Sequence, residues 1–133
     1  MKNQHPTAEL HTGNVTITLQ NGSILSLPII AYLHSSEGTI IISQLDSDTH
    51  FAFSIPPVAG AGQYNVAYPI DPLGEYPLKW GLNNNGIRKM ITNATMGFSS
   101  KNFQNQIDGN AAGTLDDGMT FTAKFSYTRS NNR

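Results

Sequence analysis

The stretch MTFTAKFSY, residues 119–127, decides the fold class because hydrophobic and polar side chains alternate along it. The hydrophobic positions of this stretch are Phe121, Ala123, Phe125 and Tyr127, and the polar positions are Thr120, Thr122, Lys124 and Ser126. A period of two, with many β-branched and aromatic residues, is typical of an antiparallel strand buried on one face. The stretch therefore predicts a strand whose aromatic row faces a core.

Four other stretches repeat this period, and two more are hydrophobic on both faces. The alternating ones are NVTITLQ (14–20), THFAFSI (49–55), QYNVAY (63–68) and KMITNATMGF (89–98). In the last of these, the inner row is predicted to run from Met90 through Thr92 to Phe98. ILSLPIIAYL (24–33) and GTIIIS (38–43) lack a polar face, which predicts central strands or strands covered by a second layer. Pro28 predicts a bulge, an edge, or a strand that passes between sheets.

Turn-forming residues separate these strands, and no helix is predicted. Asn21–Gly22 suits a type I′ hairpin turn, and Asp117–Gly118 forms a second hairpin. IPPVAGAGQ (55–63) and AYPIDPLGEYP (67–77) are Pro- and Gly-rich loops that cannot continue a ladder. We predict a single all-β domain over 1–133 with eight to ten strands, either an antiparallel β-sandwich, which the pattern favours, or a small closed β-barrel. Residues 1–10 and 129–133 are predicted to be frayed.

Composition narrows the class of protein. The chain of 133 residues has a net charge of −1, no cysteine, and 13% charged residues, about half the usual ~25%. The lack of cysteine excludes disulfides and thiolate chemistry, and the charge favours no nucleic-acid partner. No hydrophobic run reaches the ~18 residues of a membrane span, and MKNQHPTAEL (1–10) lacks the hydrophobic segment of a signal peptide. From the composition we expect an extracellular, cell-surface or periplasmic protein whose export signal is not in this chain.

Two segments together carry a resemblance to a known group. HFAFSIPPVAGAGQYNV (50–66) is a strand, a Pro/Gly link and a Gly-x-Tyr strand start. MGFSSKNFQNQIDGNAAGTLDDGMTFTAKFSYTR (96–129) contains an Asp-Gly strand end, an Asp-Gly hairpin and the alternating last strand. The pair resembles small all-β domains of secreted bacterial lipoproteins and surface proteins, over about half the chain. The resemblance implies export and a binding or structural role, with no catalytic residues.

Candidate catalytic and metal-binding residues are few, and we predict no enzyme, no cofactor and no metal site. The four histidines lack metal-ligand spacing: His5, His11, His34 and His50. Two acidic pairs could hold a cation, although capping of turns by Asp is favoured: Asp46 with Asp48, and Asp116 with Asp117. A carboxylate-dependent hydrolase is the least favoured alternative, and its candidates lie in turns: Glu37, Asp71 and Glu75.

The stretch EYPLKWGLNNNGIRK, residues 75–89, is the best candidate for a ligand site. Its Trp80 is the chain's single tryptophan, and it is interpreted either as a stacking platform or as a plug at the end of the core. The predicted ligand-binding residues are Asp71, Tyr76, Lys79, Trp80, Asn83, Asn84 and Asn85. The predicted function is a non-enzymatic binding or adhesion module that recognises a glycan or a protein through end loops. The alternative is a structural or assembly subunit that forms oligomers through edge strands such as NVTITLQ.

Overall fold

Nine antiparallel strands make up the fold. The computed structural model describes residues 9–35, 38–56, 61–69, 78–101 and 106–131, and the side chains of 13–33, 38–56, 61–69, 78–100 and 106–128. The strands are β1 (Glu9–Leu19), β2 (Ile24–Ser35), β3 (Gly38–Asp46), β4 (Thr49–Ile55), β5 (Gly62–Tyr68), β6 (Gly81–Asn84), β7 (Ile87–Lys101), β8 (Gln106–Leu115) and β9 (Thr120–Asn131). Within these ranges no residue is helical, so no helix there could cross a membrane.

The strands close into a barrel, so the prediction of a sandwich is wrong and the barrel alternative is confirmed. Eight strands form a ring in the order β7-β6-β4-β3-β2-β1-β9-β8, and the β7–β8 ladder closes it. The ninth, β5, is an extra strand that pairs with β7. Residues 9–10 pair with residues 130–131, so these parts of the predicted frayed ends belong to a ladder. For residues 1–8 and 132–133 fraying stays a prediction, because they lie outside the described residues.

The barrel interior is filled by the inner rows that the alternating stretches predict. All four inner residues of the last strand are buried, and so are Val15, Ile17 and Leu19 on β1 and Phe51, Phe53 and Ile55 on β4. Tyr32 and Tyr127 stack with their ring centroids 4.1 Å apart and an interplanar angle of 5°. An eight-stranded barrel is just wide enough for side chains to fill, which this core does.

A bulge in β7 overturns part of the predicted inner row. The β7–β8 register shifts between Ile91 and Asn93. Ile91 is therefore buried, whereas Thr92 is exposed and Met90 is only partly buried. The extra residue of a bulge moves the following side chains to the opposite face, so a strict period of two fails across it. Beyond the bulge, Phe98 faces the core as predicted.

The strands that are hydrophobic on both faces do not have a second layer among the described residues. β2 contains a bulge between Ile29 and Ala31, directly after Pro28, as one interpretation of that proline predicts. Ile30 and Leu33 point outward and are 52% and 58% exposed. Their hydrophobic side chains are thus surface features of β2 and do not indicate a covering element.

The tight hairpins differ in turn type from the prediction. Gly22 has a φ of 93°, but Asn21 does not have a positive φ, so a type I′ turn at this pair is wrong. The Gly22 N–H donates to the Leu19 carbonyl at 2.8 Å, as in a type I turn followed by a left-handed glycine. Asn85 and Gly86, with φ of 52° and 83°, have the two positive φ angles that a type I′ turn needs.

Candidate functional site

Trp80 lies next to the start of β6 in the barrel wall. β5 and β6 both pair with β7: Tyr68 lies opposite Ala94, and Gly81 lies opposite Met90. The end of β5 and the start of β6 are therefore four residues apart along β7. Trp80 is the last residue before β6 begins. This position places the indole at the seam between β4 and β5, two strands that share no ladder among the described pairings.

The Trp80 side chain is a core plug and cannot serve as a ligand platform. It is 0% exposed. Its ring stacks on Tyr68 with centroids 4.4 Å apart and meets Phe53 edge-on at 6.0 Å. The indole Nε1 donates to Ser54 Oγ at 3.2 Å, and the Trp80 backbone N–H donates to the Tyr68 hydroxyl at 3.0 Å. These contacts join β4 to β5, so the plug interpretation describes Trp80 and the platform interpretation is corrected.

The predicted asparagines help to hold two hairpins together. Asn83 Nδ2 donates to the Asp48 carbonyl at 3.2 Å, and the Asn85 N–H donates to Thr49 Oγ1 at 3.2 Å. Asn83 and Asn84 are half-buried. These bonds tie the β6–β7 turn to the β3–β4 turn. The side-chain amide of Asn83 and the backbone N–H of Asn85 thus have a structural role at this end of the barrel, whereas the side chain of Asn85 is exposed.

The remaining predicted site residues are not brought together by the described structure. Lys79 is exposed beside the plug. Tyr76 and Asp71 lie outside the described residues, so their assignment stays a prediction. Glu37 and Glu75, the hydrolase candidates, also lie outside them.

The acidic pairs act as turn caps. Asp46 Oδ1 accepts the N–H of Asp48 at 2.9 Å, and Asp117 Oδ1 accepts the N–H of Met119 at 2.9 Å. Lys89 Nζ donates to Asp117, and this bond, followed by the Met119 N–H, lowers the pKa of the Asp117 carboxyl below 3.8. In the described part of the chain, no group of three or more His, Cys, Asp or Glu side chains could hold a metal ion.

A groove on the outer face of β5, β7, β8 and β9 was not predicted. We call this surface the outer groove, and strand pairing arranges its side chains in four rows. The first row is Gln63, Ser99, Asp108 and Ser126, and the second is Asn65, Gly97, Asn110 and Lys124. The third row is Ala67, Thr95, Ala112 and Thr122, and the fourth is Asn93, Thr114 and Thr120. Three adjoining depressions of about 710, 770 and 570 Å³ follow these rows.

Small residues on the inner face of β8 allow a close approach beneath the outer groove. A Cβ at Gly109 would lie 2.5 Å from the Gly97 carbonyl oxygen and 2.7 Å from the Phe125 ring. A Cβ at Gly113 would clash with the Asn93 carbonyl oxygen. Because no side chain stands at these two points, β8 lies close against the backbone of β7 and the Phe125 ring.

Most of the polar groups in the outer groove are short and uncharged. Asp108 accepts hydrogen bonds from Ser126 Oγ at 2.6 Å and from Gln106 Nε2 at 3.3 Å. None of the described acidic side chains forms an ion pair with Lys124. The side chain of Asn65 lies over Gly97, with its Oδ1 3.1 Å from the position that a Cβ would occupy.

The described side chains that line the outer groove carry one negative and one positive formal charge. Asp108 and Lys124 carry opposite formal charges, and Asp108 is the single carboxylate among the described lining side chains. Hydrolysis of a glycosidic bond usually needs two carboxylates about 5 to 10 Å apart.

Comparison of the chain with protein-family models, with curated proteins and with solved structures finds no match.

Proposed function

We propose that this protein is a non-enzymatic binding module that recognises a glycan through the outer groove. The observation that carries the proposal is the set of aligned amide and hydroxyl side chains on the outer face of β7 and β8. The resemblance to exported surface proteins and the charge-poor composition suggest that the module works outside the cytoplasm. This proposal replaces recognition by the end loops, because Trp80 is buried and the side-chain amide of Asn83 bonds to a neighbouring hairpin.

The chemistry of the outer groove suits a polyhydroxylated ligand. Each amide side chain, such as Asn65 or Asn110, offers both a donor and an acceptor, and a sugar hydroxyl also acts as both. Ala67 and Ala112 expose methyl groups beside these amides, which suits the C–H face of a sugar ring. The opposite charges of one aspartate and one lysine give no general preference for an anionic or a cationic ligand.

The structure does not support oligomerisation through a free edge of the NVTITLQ strand. β1 pairs with β2 on one side and with β9 on the other, so its edges are occupied. The proposed use of this strand as a free edge is therefore wrong. A closed barrel also leaves fewer edges than a sandwich.

Binding can be tested by titrating ¹⁵N-labelled protein with cellohexaose, xylohexaose, maltohexaose and chitohexaose in separate experiments. We expect at least one of them to shift amide resonances on β5, β7, β8 and β9 in a saturable way. The variant Gly97→Leu places a side chain in the outer groove and is expected to weaken binding at least tenfold. Ala52→Leu on β4 is the matched control and should bind like the parent protein, because Ala52 lines none of the three depressions.

Two results would contradict the proposal. The first is a lack of saturable shifts in the outer groove with all four hexasaccharides. The second is equal binding by the parent and by a folded Gly97→Leu variant, because that result would place the ligand elsewhere. The dispersion of the amide spectrum shows whether each variant is folded.

A further inference from the structure

We infer that the outer groove binds a linear glycan chain of about four sugar units that lies along β7 and β8. This inference rests on the proposed function and specifies the length and direction of its ligand. Its basis is the continuity of the outer groove along the strands. At its centre Gly97 has no side chain of its own, and the Asn65 side chain lies over it.

The three depressions of the outer groove form one continuous surface. The first and second share the whole second row of side chains, including Asn65 and Lys124. The second and third share the whole third row, including Thr95 and Ala112. Neighbouring depressions therefore join along the strand direction, and a ligand in the first can continue into the third. A compact, branched ligand would use one depression and leave the others empty.

The dimensions of the outer groove set the length of the ligand. Ser99 and Asn93 mark its two ends on β7, and Asp108 and Thr114 mark them on β8. Six residues of strand at ~3.4 Å each span about 20 Å, which matches about four sugar rings of roughly 5 Å each. Four strands at ~4.8 Å spacing make the outer groove about 14 Å wide. Its first depression also reaches Asn14 and Thr16 on β1.

The two ends of the outer groove differ in chemistry. The first and second rows carry amides and both charged groups, among them Gln63, Asn65 and Asn110. The third row carries only alanine and threonine, here Ala67 and Thr95 with their partners, and the fourth row carries Asn93 with two threonines. The first two rows can therefore form several hydrogen bonds with the first two sugar units. The third and fourth rows provide a flatter contact for the ring faces of the next two, with one amide at the end, so each added unit should strengthen binding.

A chain-length series tests this inference. The full chain is titrated with cello-, xylo-, malto- and chito-oligosaccharides of one to six units, and the dissociation constant is measured by calorimetry or by amide shifts. In the series that binds, we expect the dissociation constant to fall at least tenfold from one unit to four. It should change less than twofold from four units to six.

A variant in the third row of the outer groove tests whether the glycan extends that far. Thr95→Leu obstructs the third row and leaves the first two rows intact, and Thr95 is exposed, so the fold should tolerate the change. We expect Thr95→Leu to reduce the affinity for a tetrasaccharide to that for a disaccharide, and to leave disaccharide binding unchanged. Ala52→Leu again serves as the control.

Each outcome separates this inference from the proposed function. A monosaccharide that binds as tightly as the tetrasaccharide would overturn the linear ligand and leave the glycan-binding proposal standing. Affinity that keeps rising through six units, or a Thr95→Leu variant with unchanged tetrasaccharide binding, would also overturn it. A lack of binding by every oligosaccharide would overturn the proposed function itself.

Discussion

Replacement of Trp80 by alanine is the most informative perturbation of the barrel, because this side chain joins two strands that have no ladder between them. The indole contacts Tyr68 on β5, and it bonds to Ser54 on β4. Phe53 packs against its edge. The Trp80→Ala variant removes these contacts together, and it opens a space at the seam that the surrounding backbone can close only in part.

The expected loss of stability follows from those contacts. Removal of a fully buried tryptophan ring typically costs about 3–5 kcal/mol. Loss of the hydrogen bond from Nε1 to Ser54 adds about 1 kcal/mol. The sum, about 5 kcal/mol, is a quarter or more of the ~7–20 kcal/mol expected for a domain of this length. The melting temperature should therefore fall by roughly 15 °C.

Urea unfolding followed by far-ultraviolet circular dichroism measures this loss, because the alanine variant contains no tryptophan for fluorescence. Trp80→Phe is the graded comparison: it keeps an aromatic ring against Tyr68 but loses the indole N–H, and should cost about 1–2 kcal/mol. Lys79→Ala is the matched control, since Lys79 is the exposed neighbour and its replacement should change stability by less than about 0.5 kcal/mol.

The result that would refute the reasoning is a Trp80→Ala variant as stable as the control. A loss below about 1 kcal/mol is typical of a surface position, and it would mean that the indole is not part of the core. The platform interpretation of Trp80 would then be correct.

Three further predictions concern the close approach of β8, the capped hairpin and the seam. Gly109→Ala should destabilise the protein by about 3 kcal/mol in urea unfolding, because its Cβ meets backbone and ring atoms, whereas Gly97→Ala should be nearly neutral. The pKa of Asp117 is lowered, so its stabilising contribution is present above pH 3.8 and is lost as the pH falls through the lowered pKa; Lys89→Met should raise that pKa toward 3.8 in a ¹³C NMR titration. Ser54→Ala should cost about 1–3 kcal/mol in urea unfolding, because it removes the acceptor of a buried indole N–H.

The sequence predicts the strands and most inner rows, because alternation is a local property of the chain. Phe121 and Val15 occupy the core as their spacing predicts. Alternation cannot distinguish a barrel from a sandwich, since both bury one face of each strand. Closure depends on the pairing of β1 with β9, between residues that are about a hundred positions apart. The bulge at Ile91–Asn93 is likewise set by the fit of β7 to β8 and not by composition.

The site was harder to predict for the same reason. The sequence pattern points to Trp80 as an aromatic platform, yet sequence alone does not show whether a tryptophan at a strand start faces inward. The outer groove joins side chains as distant in sequence as Asn65 and Lys124, which the pairing of β5, β7, β8 and β9 brings together. One local signal was present: Gly109, Ala111 and Gly113 make the inner row of β8 unusually small.

That inner row connects the packing of the core to the outer groove. The described inward-facing side chains fill the barrel interior, so the ligand site that we propose lies on the outer surface. Because β8 has glycine at two points of its inner face, it lies against Phe125 and the backbone of β7 where a Cβ would clash. A side chain at Gly109 or Gly113 should therefore displace β8, which lowers stability and disturbs the outer groove together. Gly97→Leu should instead block the outer groove and leave the core unchanged.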